Sequence, residues 1–210
     1  LTSDTYAADF DEVKALGRKT GSSRTPAQTE QALFWSENPF IQWHRTLREL
    51  ALARDFDAAE SARFLAMTST SFVDGLITCF ESKYHFVWWR PLHAIPRADS
   101  DGNPATVADT TWEPLLVVNH PEYPSGHGCA SGAVIEAITA FFGTANVEVT
   151  VRSTVTGTME TYPKLQALKH DIFMARIYGG LHFRSTMGDG FNLGKQVGRF
   201  ITRRDFAVTN

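Results

Sequence analysis

The stretch from Ala58 to Trp88 places the tightest limit on the fold: it contains no proline, and Phe64, Leu65, Phe72, Leu76, Ile77 and Phe80 follow a helical pattern. Asp57 can cap its start. Pro91 should end it, because proline lacks an amide donor and disfavours helical geometry in the preceding residue. A helix this long is expected to form the core element, with shorter helices packed around it. The flanking sequence predicts those helices. Tyr6, Phe10, Val13 and Leu16 recur at three-to-four spacing before Gly17, and Thr25-Pro26-Ala27-Gln28 joins an N-cap, a first-turn proline and a capping-box glutamine, giving a helix through Phe34. Ile41, Trp43, Leu47, Leu50 and Leu52 predict another helix from Pro39 to about Arg54. Further helices are expected from Ser125 to Phe142, closed by Gly143, and over 161–178 and 187–203.

Two segments depart from the helical pattern. Residues 96–124 read as a long loop punctuated by Pro96, Pro104, Pro114, Pro121 and Pro124, with a short turn near Asp109 to Leu116. Loops of this length in compact domains are functional or tied down. Residues 147–152 alternate as a strand and predict a small peripheral hairpin near 147–155. The expected fold is therefore all-α, as one helical domain over residues 1–210.

The composition is 43% hydrophobic, enough for a sizeable core. A net charge of −3 and a pI near 6.2 argue against a general polyanion binder, so nucleic acid is not an expected partner. No apolar run approaches the roughly 18–20 residues of a membrane span. Leu1 rather than Met begins the chain, which suggests a processed product or one lacking an N-terminal region. The residues leave the compartment open, with a secreted or periplasmic location favoured. Cys79 and Cys129 are expected to be free thiols.

Three short motifs carry the chemistry: Lys83-x6-Arg90-Pro91, Pro124-Ser125-Gly126-His127 and Arg176-x5-His182. Lys83 and Arg90 are seven residues apart, about 20° out of register if the helix runs through both, so both could reach one anion. The aromatic residues between them predict a buried segment, and buried cations need partners. Ser125 and Gly126 open a helix whose free amides and dipole attract anions, and His127 in that position suits proton exchange. The Gly179-Gly180 pair can end a helix and turn the chain so that Arg176 and His182 converge. Three cations, a hydroxyl, glycine amides and two imidazoles together suit a phosphate-like or vanadate-like oxyanion. Any one of these motifs alone would read as ordinary surface or core structure. No cluster has zinc spacing, and three cations would repel a divalent ion.

In this order the motifs resemble the signature shared by vanadium-dependent haloperoxidases and by type-2 phosphatidic acid phosphatases with their related bacterial acid phosphatases. The resemblance implies an all-α bundle with a central anion site and vanadate, or phosphate in its place, as the bound group. By matching position, Lys83, Arg90, Ser125, Gly126 and Arg176 would hold the anion's oxygens. His182 would bond axially to vanadium, or attack phosphorus, with His127 as acid/base on the opposite face. The implied partners are hydrogen peroxide, halide and a small organic substrate, or a phosphomonoester, and a homodimer is compatible with this reading. His120, five residues before Ser125, matches the histidine of the resembling bromoperoxidases and favours bromide. Phe80 is a candidate for the halide or substrate pocket, as are Trp88 and Trp89.

The sequence departs from the family pattern at one position. The superfamily places an aspartate four residues after the last histidine, and here that residue is Thr186. Asp171 and Asp189 are candidate replacements. The expected function is a vanadate-dependent haloperoxidase. The alternatives are a soluble phosphatase with a phosphohistidine intermediate and a non-catalytic anion-binding relative that lost the partner of its histidine.

Overall fold

A computed structural model describes residues 1–207. The described residues form eight α-helices and one hairpin: α1 Asp4–Leu16, α2 Pro26–Phe34, α3 Pro39–Ala53, α4 Ala58–Phe86, α5 Pro91–Ala94, α6 Gly126–Phe142, β1 Val149–Arg152, β2 Met159–Tyr162, α7 Leu165–Tyr178 and α8 Arg184–Arg204. The α2 start has the expected capping box, with Thr25 and Gln28 exchanging side-chain and backbone bonds, and Asp57 and Glu60 do the same for α4. Helices α4, α6 and α8 pack together as the centre of the bundle. Most of α6 is buried, as its run of Ala, Gly, Val and Ile requires.

Two hydrophobic clusters meet along α7. One gathers Trp43, Leu47, Phe64, Phe72, Val134, Ile138, Leu168 and Ile172 beneath the hairpin. The other gathers Phe10, Val13, Ile95, Trp112, Ile177 and Phe183 around α1. Arg176 lies on α7 where these clusters adjoin, flanked by Ala175 of the first and Ile177 of the second.

The sequence expectations need correction in four places. Helix α4 stops at Phe86 rather than at Pro91, because Val87 takes a left-handed conformation with φ of 46° and its amide bonds the Lys83 carbonyl. A β-branched residue adopts that conformation under strain. Arg90 is therefore extended, as the residue before a proline prefers to be, and caps the short α5 instead of sharing a helical face with Lys83. The segment between them is not buried: Tyr84, Phe86, Val87 and Trp88 are exposed, Val87 by 66%. The helix expected from 161 does not start there: residues 159–162 pair antiparallel with β1, placing Val149 opposite Tyr162, and α7 begins only at Leu165.

The segment expected as a loop over 96–124 follows α5 and opens within a 3-10 turn over Ile95–Ser100. It is tied down by Trp112, which is buried, by an Arg18–Asp109 ion pair and by the Leu115 amide on the Gly17 carbonyl at 2.9 Å. Both cysteines are buried and free. Among the described residues, no helix is long and apolar enough to cross a membrane.

Candidate active site

The three motifs converge. Lys83 leaves the last full turn of α4 and is 0% exposed, and its Nζ donates to the carbonyls of Pro121 and Glu122 at 2.8 and 2.9 Å. Arg90 donates through Nε to the His120 carbonyl at 2.7 Å and through Nη1 to the Leu181 carbonyl at 2.8 Å. Its Nη2 lies 3.1 Å from His120 Nδ1, and Nη1 lies 3.5 Å from His182 Nε2. Arg176 donates through Nη1 to the Trp35 carbonyl at 2.6 Å. None of the three cations forms an ion pair with a carboxylate among the described residues.

Ser125 caps α6 as the sequence predicts, its Oγ accepting the Gly128 amide at 3.2 Å. That bond uses the oxygen and leaves the hydroxyl proton free to be donated. The position of a side chain on Gly126 would lie 3.9 Å from Lys83 Cε, so the helix start and the ammonium are neighbours. Gly180 has φ of +71°, and a Cβ there would come within 2.6 Å of the Gly17 carbonyl. Only glycine suits this turn, which carries the chain from Arg176 back to His182.

Three polar atoms of the site have no partner among the described residues: His127 Nε2, Arg176 Nε and, behind His182, Glu122 Oε2 are buried and unbonded. Buried donors and acceptors are almost always satisfied, so the first two, beside the cations, mark a place for a ligand. His182 is different. Its Nδ1 is 2.8 Å from Glu122 Oε1, which also accepts from the Thr186 hydroxyl at 2.6 Å and the Phe183 amide at 3.1 Å.

Residues 63–209, which carry all the motif side chains, match the family model of the VCPO second helical-bundle domain. The chain belongs to that family. It is 28% identical over 148 residues to the vanadium chloroperoxidase of Curvularia inaequalis, covering 58% of this chain and 24% of that protein. It is 27% identical over 119 residues to the vanadium-dependent bromoperoxidase of Corallina officinalis, covering 51% of this chain and 17% of that protein. A bacterial vanadium-dependent iodoperoxidase superposes with a TM-score of 0.80 at 23% identity, over 94% of this chain and 49% of that one. A holo-type bacterial vanadium-dependent chloroperoxidase gives 0.75 at 18%, over 94% and 48%. This member of the VCPO family thus spans a quarter or less of its named sequence relatives and about half of the solved structures it resembles.

Burial and mutual repulsion govern the charges of this VCPO-family pocket. Burial pushes Lys83 down to about 8, with Arg90 adding to the fall and Cys79 and Glu122 opposing it. Burial, then the neighbouring Arg90, lowers Arg176 as well, though a guanidinium stays protonated at neutral pH. Burial first, then Arg176, His120, Arg90 and Lys83, holds His127 well below the usual imidazole range. His182 is held down in the same way by burial, Arg90, Lys83, Arg176 and His127. His120 falls to about 4 from burial and then Arg90. All three imidazoles are therefore neutral at pH 7. Burial pushes Glu122 up to about 7, while Thr186, the Phe183 amide, Arg90 and Lys83 pull it down.

The structure brings together Lys83, Arg90, Ser125, Gly126, His127, Arg176 and His182, and places His120 beside them on Arg90. Phe80 packs against His120 with ring centroids 5.2 Å apart. Trp88 instead lines a separate apolar cavity of about 440 Å³ with Tyr6, Phe86, Tyr123 and Phe183. Neither proposed replacement for the missing aspartate contacts His182. Asp171 accepts from Trp35 Nε1 and the Tyr162 hydroxyl, and Asp189 is exposed on α8. The carboxylate partner is Glu122, which sequence reasoning missed. Its signal was slight: an acidic residue inside His120-Pro121-Glu122-Tyr123-Pro124, directly before the Ser-Gly-His motif, in a chain with threonine at 186.

Proposed function

We propose that this chain forms the anion site of a vanadate-dependent haloperoxidase that oxidises halide, with bromide preferred, using hydrogen peroxide. The observation that carries this reading is the charge imbalance of the pocket. Three buried cations donate to backbone carbonyls, Arg90 also meeting the His120 and His182 rings, and none pairs with a carboxylate among the described residues, beside an unbonded His127 Nε2 and an unbonded Arg176 Nε. Uncompensated buried charge is costly, and a multivalent oxyanion would relieve it.

The residues fit vanadate. Lys83, Arg90 and Arg176 supply charged donors for its oxygens, with the Ser125 hydroxyl and the Gly126 amide at the α6 start. His182, its Nδ1 occupied by Glu122, turns Nε2 towards the cations and would bond the vanadium. Vanadate, when bound, supplies the Lewis-acid centre at which peroxide becomes an oxygen-atom donor to halide. The chain's own contribution is to hold that centre and manage protons. His127, neutral and with a free Nε2, can take a proton from incoming peroxide and return it to the departing oxygen. His120, neutral and packed at a tilt of 47° against Phe80, offers a polar edge beside an apolar ring, which supports a site for a large polarisable halide. The non-catalytic alternative loses its main support, since His182 does have a carboxylate partner.

The test is a parallel assay of the purified protein, with and without vanadate, for peroxide-dependent bromide oxidation and for p-nitrophenyl phosphate hydrolysis. Bromide oxidation that requires vanadate and disappears in His182→Ala is the expected result. Strong hydrolysis with no bromide oxidation would replace this reading with a phosphatase using His182 as nucleophile.

A further inference from the structure

We propose that Glu122 is the positioning residue for His182, acting from the loop before α6 in place of the aspartate that the family pattern puts at position 186. This rests on the proposed anion site. Glu122 is 0% exposed, and a carboxylate so deep in the fold needs a reason to be there. All three groups that its Oε1 accepts from lie in one short segment: His182 Nδ1, the Phe183 amide and the Thr186 hydroxyl. The carboxylate makes no direct bond to Lys83 or Arg90, since Lys83 bonds only the backbone carbonyl of Glu122. It is therefore directed at the histidine segment rather than spent on the cations.

A carboxylate oxygen accepts hydrogen bonds, so Nδ1 must carry the imidazole proton and Nε2 must present its lone pair. Nε2 is also the ring nitrogen that faces Arg90 at 3.5 Å. Glu122 thereby fixes both the tautomer and the aim of the atom that would meet the anion, as an outer carboxylate does for a ligating histidine.

Sterics explain why one carboxylate replaces the other. Thr186 Oγ1 is 2.6 Å from Glu122 Oε1, so the glutamate occupies the space directly beyond the threonine hydroxyl. An aspartate at 186 would place a second carboxylate against the first, and one without the other leaves His182 a single anionic partner. Positions 122 and 186 form an exchangeable pair: Glu with Thr, or a small residue with Asp.

The experiment measures vanadate and phosphate binding by calorimetry and ⁵¹V NMR, and the His182 tautomer by ¹⁵N NMR without anion. It compares wild type, Glu122→Gln, Glu122→Ala, Thr186→Asp and the double variant Glu122→Ala/Thr186→Asp. Loss of the carboxylate is expected to weaken vanadate binding about 10- to 100-fold. Glu122→Ala should give a mixed His182 tautomer, and Glu122→Gln should keep the tautomer but lose affinity. Thr186→Asp alone should bind worse than wild type, and the double variant should recover both affinity and the single tautomer. A purely structural Glu122 would not predict recovery by an acid on another helix. Glu122→Ala with unchanged tautomer and affinity, or a double variant no better than Glu122→Ala, would overturn the proposal. If wild type bound neither anion, the anion-site reading would fall, while the tautomer comparison would still decide whether Glu122 positions His182.

Discussion

At the scale of single residues, Lys83 is the group whose charge is set most delicately. Its ammonium is buried between two carbonyls with Arg90 nearby, which puts its pKa near 8 instead of the ordinary value of about 10.4. Between those two pH values the unfolded chain binds more protons than the folded one, so the anion-free protein should gain stability as pH rises through this window. A bound anion favours the protonated ammonium and reverses the trend for binding. Phosphate affinity should therefore fall as pH rises above 8, where phosphate itself stays a dianion, and binding should take up a proton. Calorimetry in buffers of different ionisation enthalpy would detect that uptake. Lys83→Met should bind phosphate more weakly at pH 7 and lose this part of the pH dependence; an unchanged profile would assign it elsewhere. The side chain's burial was inferable from its aromatic neighbours only by accident. Those neighbours proved exposed while the lysine did not, because α4 ends at Val87 and its last turn carries Lys83 inward and Tyr84 and Phe86 outward.

At the scale of elements, the site depends on a seam of glycines between α6 and α8. A Cβ on Gly194 would lie 1.9 Å from the Cys129 carbonyl oxygen, on Gly132 2.5 Å from the Phe191 carbonyl oxygen, and on Gly190 2.8 Å from the Ser125 carbonyl oxygen. The backbones touch because nothing stands between them. Gly194→Ala should destabilise the fold by about 3 kcal/mol or more, as overpacking against a rigid backbone does. Gly188 lies on the same helix with nothing within 4 Å of its Cβ position, so Gly188→Ala should be neutral or stabilise by up to about 1 kcal/mol. Urea denaturation midpoints would separate the two. Gly190→Ala meets the seam at Ser125, and should weaken anion binding beyond its effect on stability. Helix ends and caps at Thr25, Asp57, Ser125 and Gly143 were legible from the sequence because each is decided within a few residues. The end of α4, the strand at 159–162 and the partner of His182 were not. The first turns on one left-handed valine and the second on pairing with β1, across the turn that joins the two strands. The third is a contact across 60 residues, and a loop glutamate ordinarily reads as a surface charge.

At the scale of the whole molecule, the pocket draws its donors from α4, the loop before α6, the α6 start, α7 and the turn into α8. An anion held by all of them should stabilise the fold globally, by about 2.7 kcal/mol at a hundredfold excess over its Kd. For a chain of this size each kcal/mol raises Tm by about 2–4 °C. Differential scanning calorimetry should show this shift with phosphate or vanadate and not with chloride at equal ionic strength. A chloride effect of the same size would point to general screening instead of a built site. The family was readable because three short motifs stand in one order along the chain. Their convergence depends on tertiary packing, which no single motif carries.

Lys83 and Arg90 are fastened from behind, to the carbonyls of residues 120–122 and 181, without calling on any ligand. A guest arriving in such a pocket finds its hosts already seated. The ordering of these long side chains was completed when the chain folded, so little conformational freedom is left for binding to remove, and affinity can rest on charge and fit.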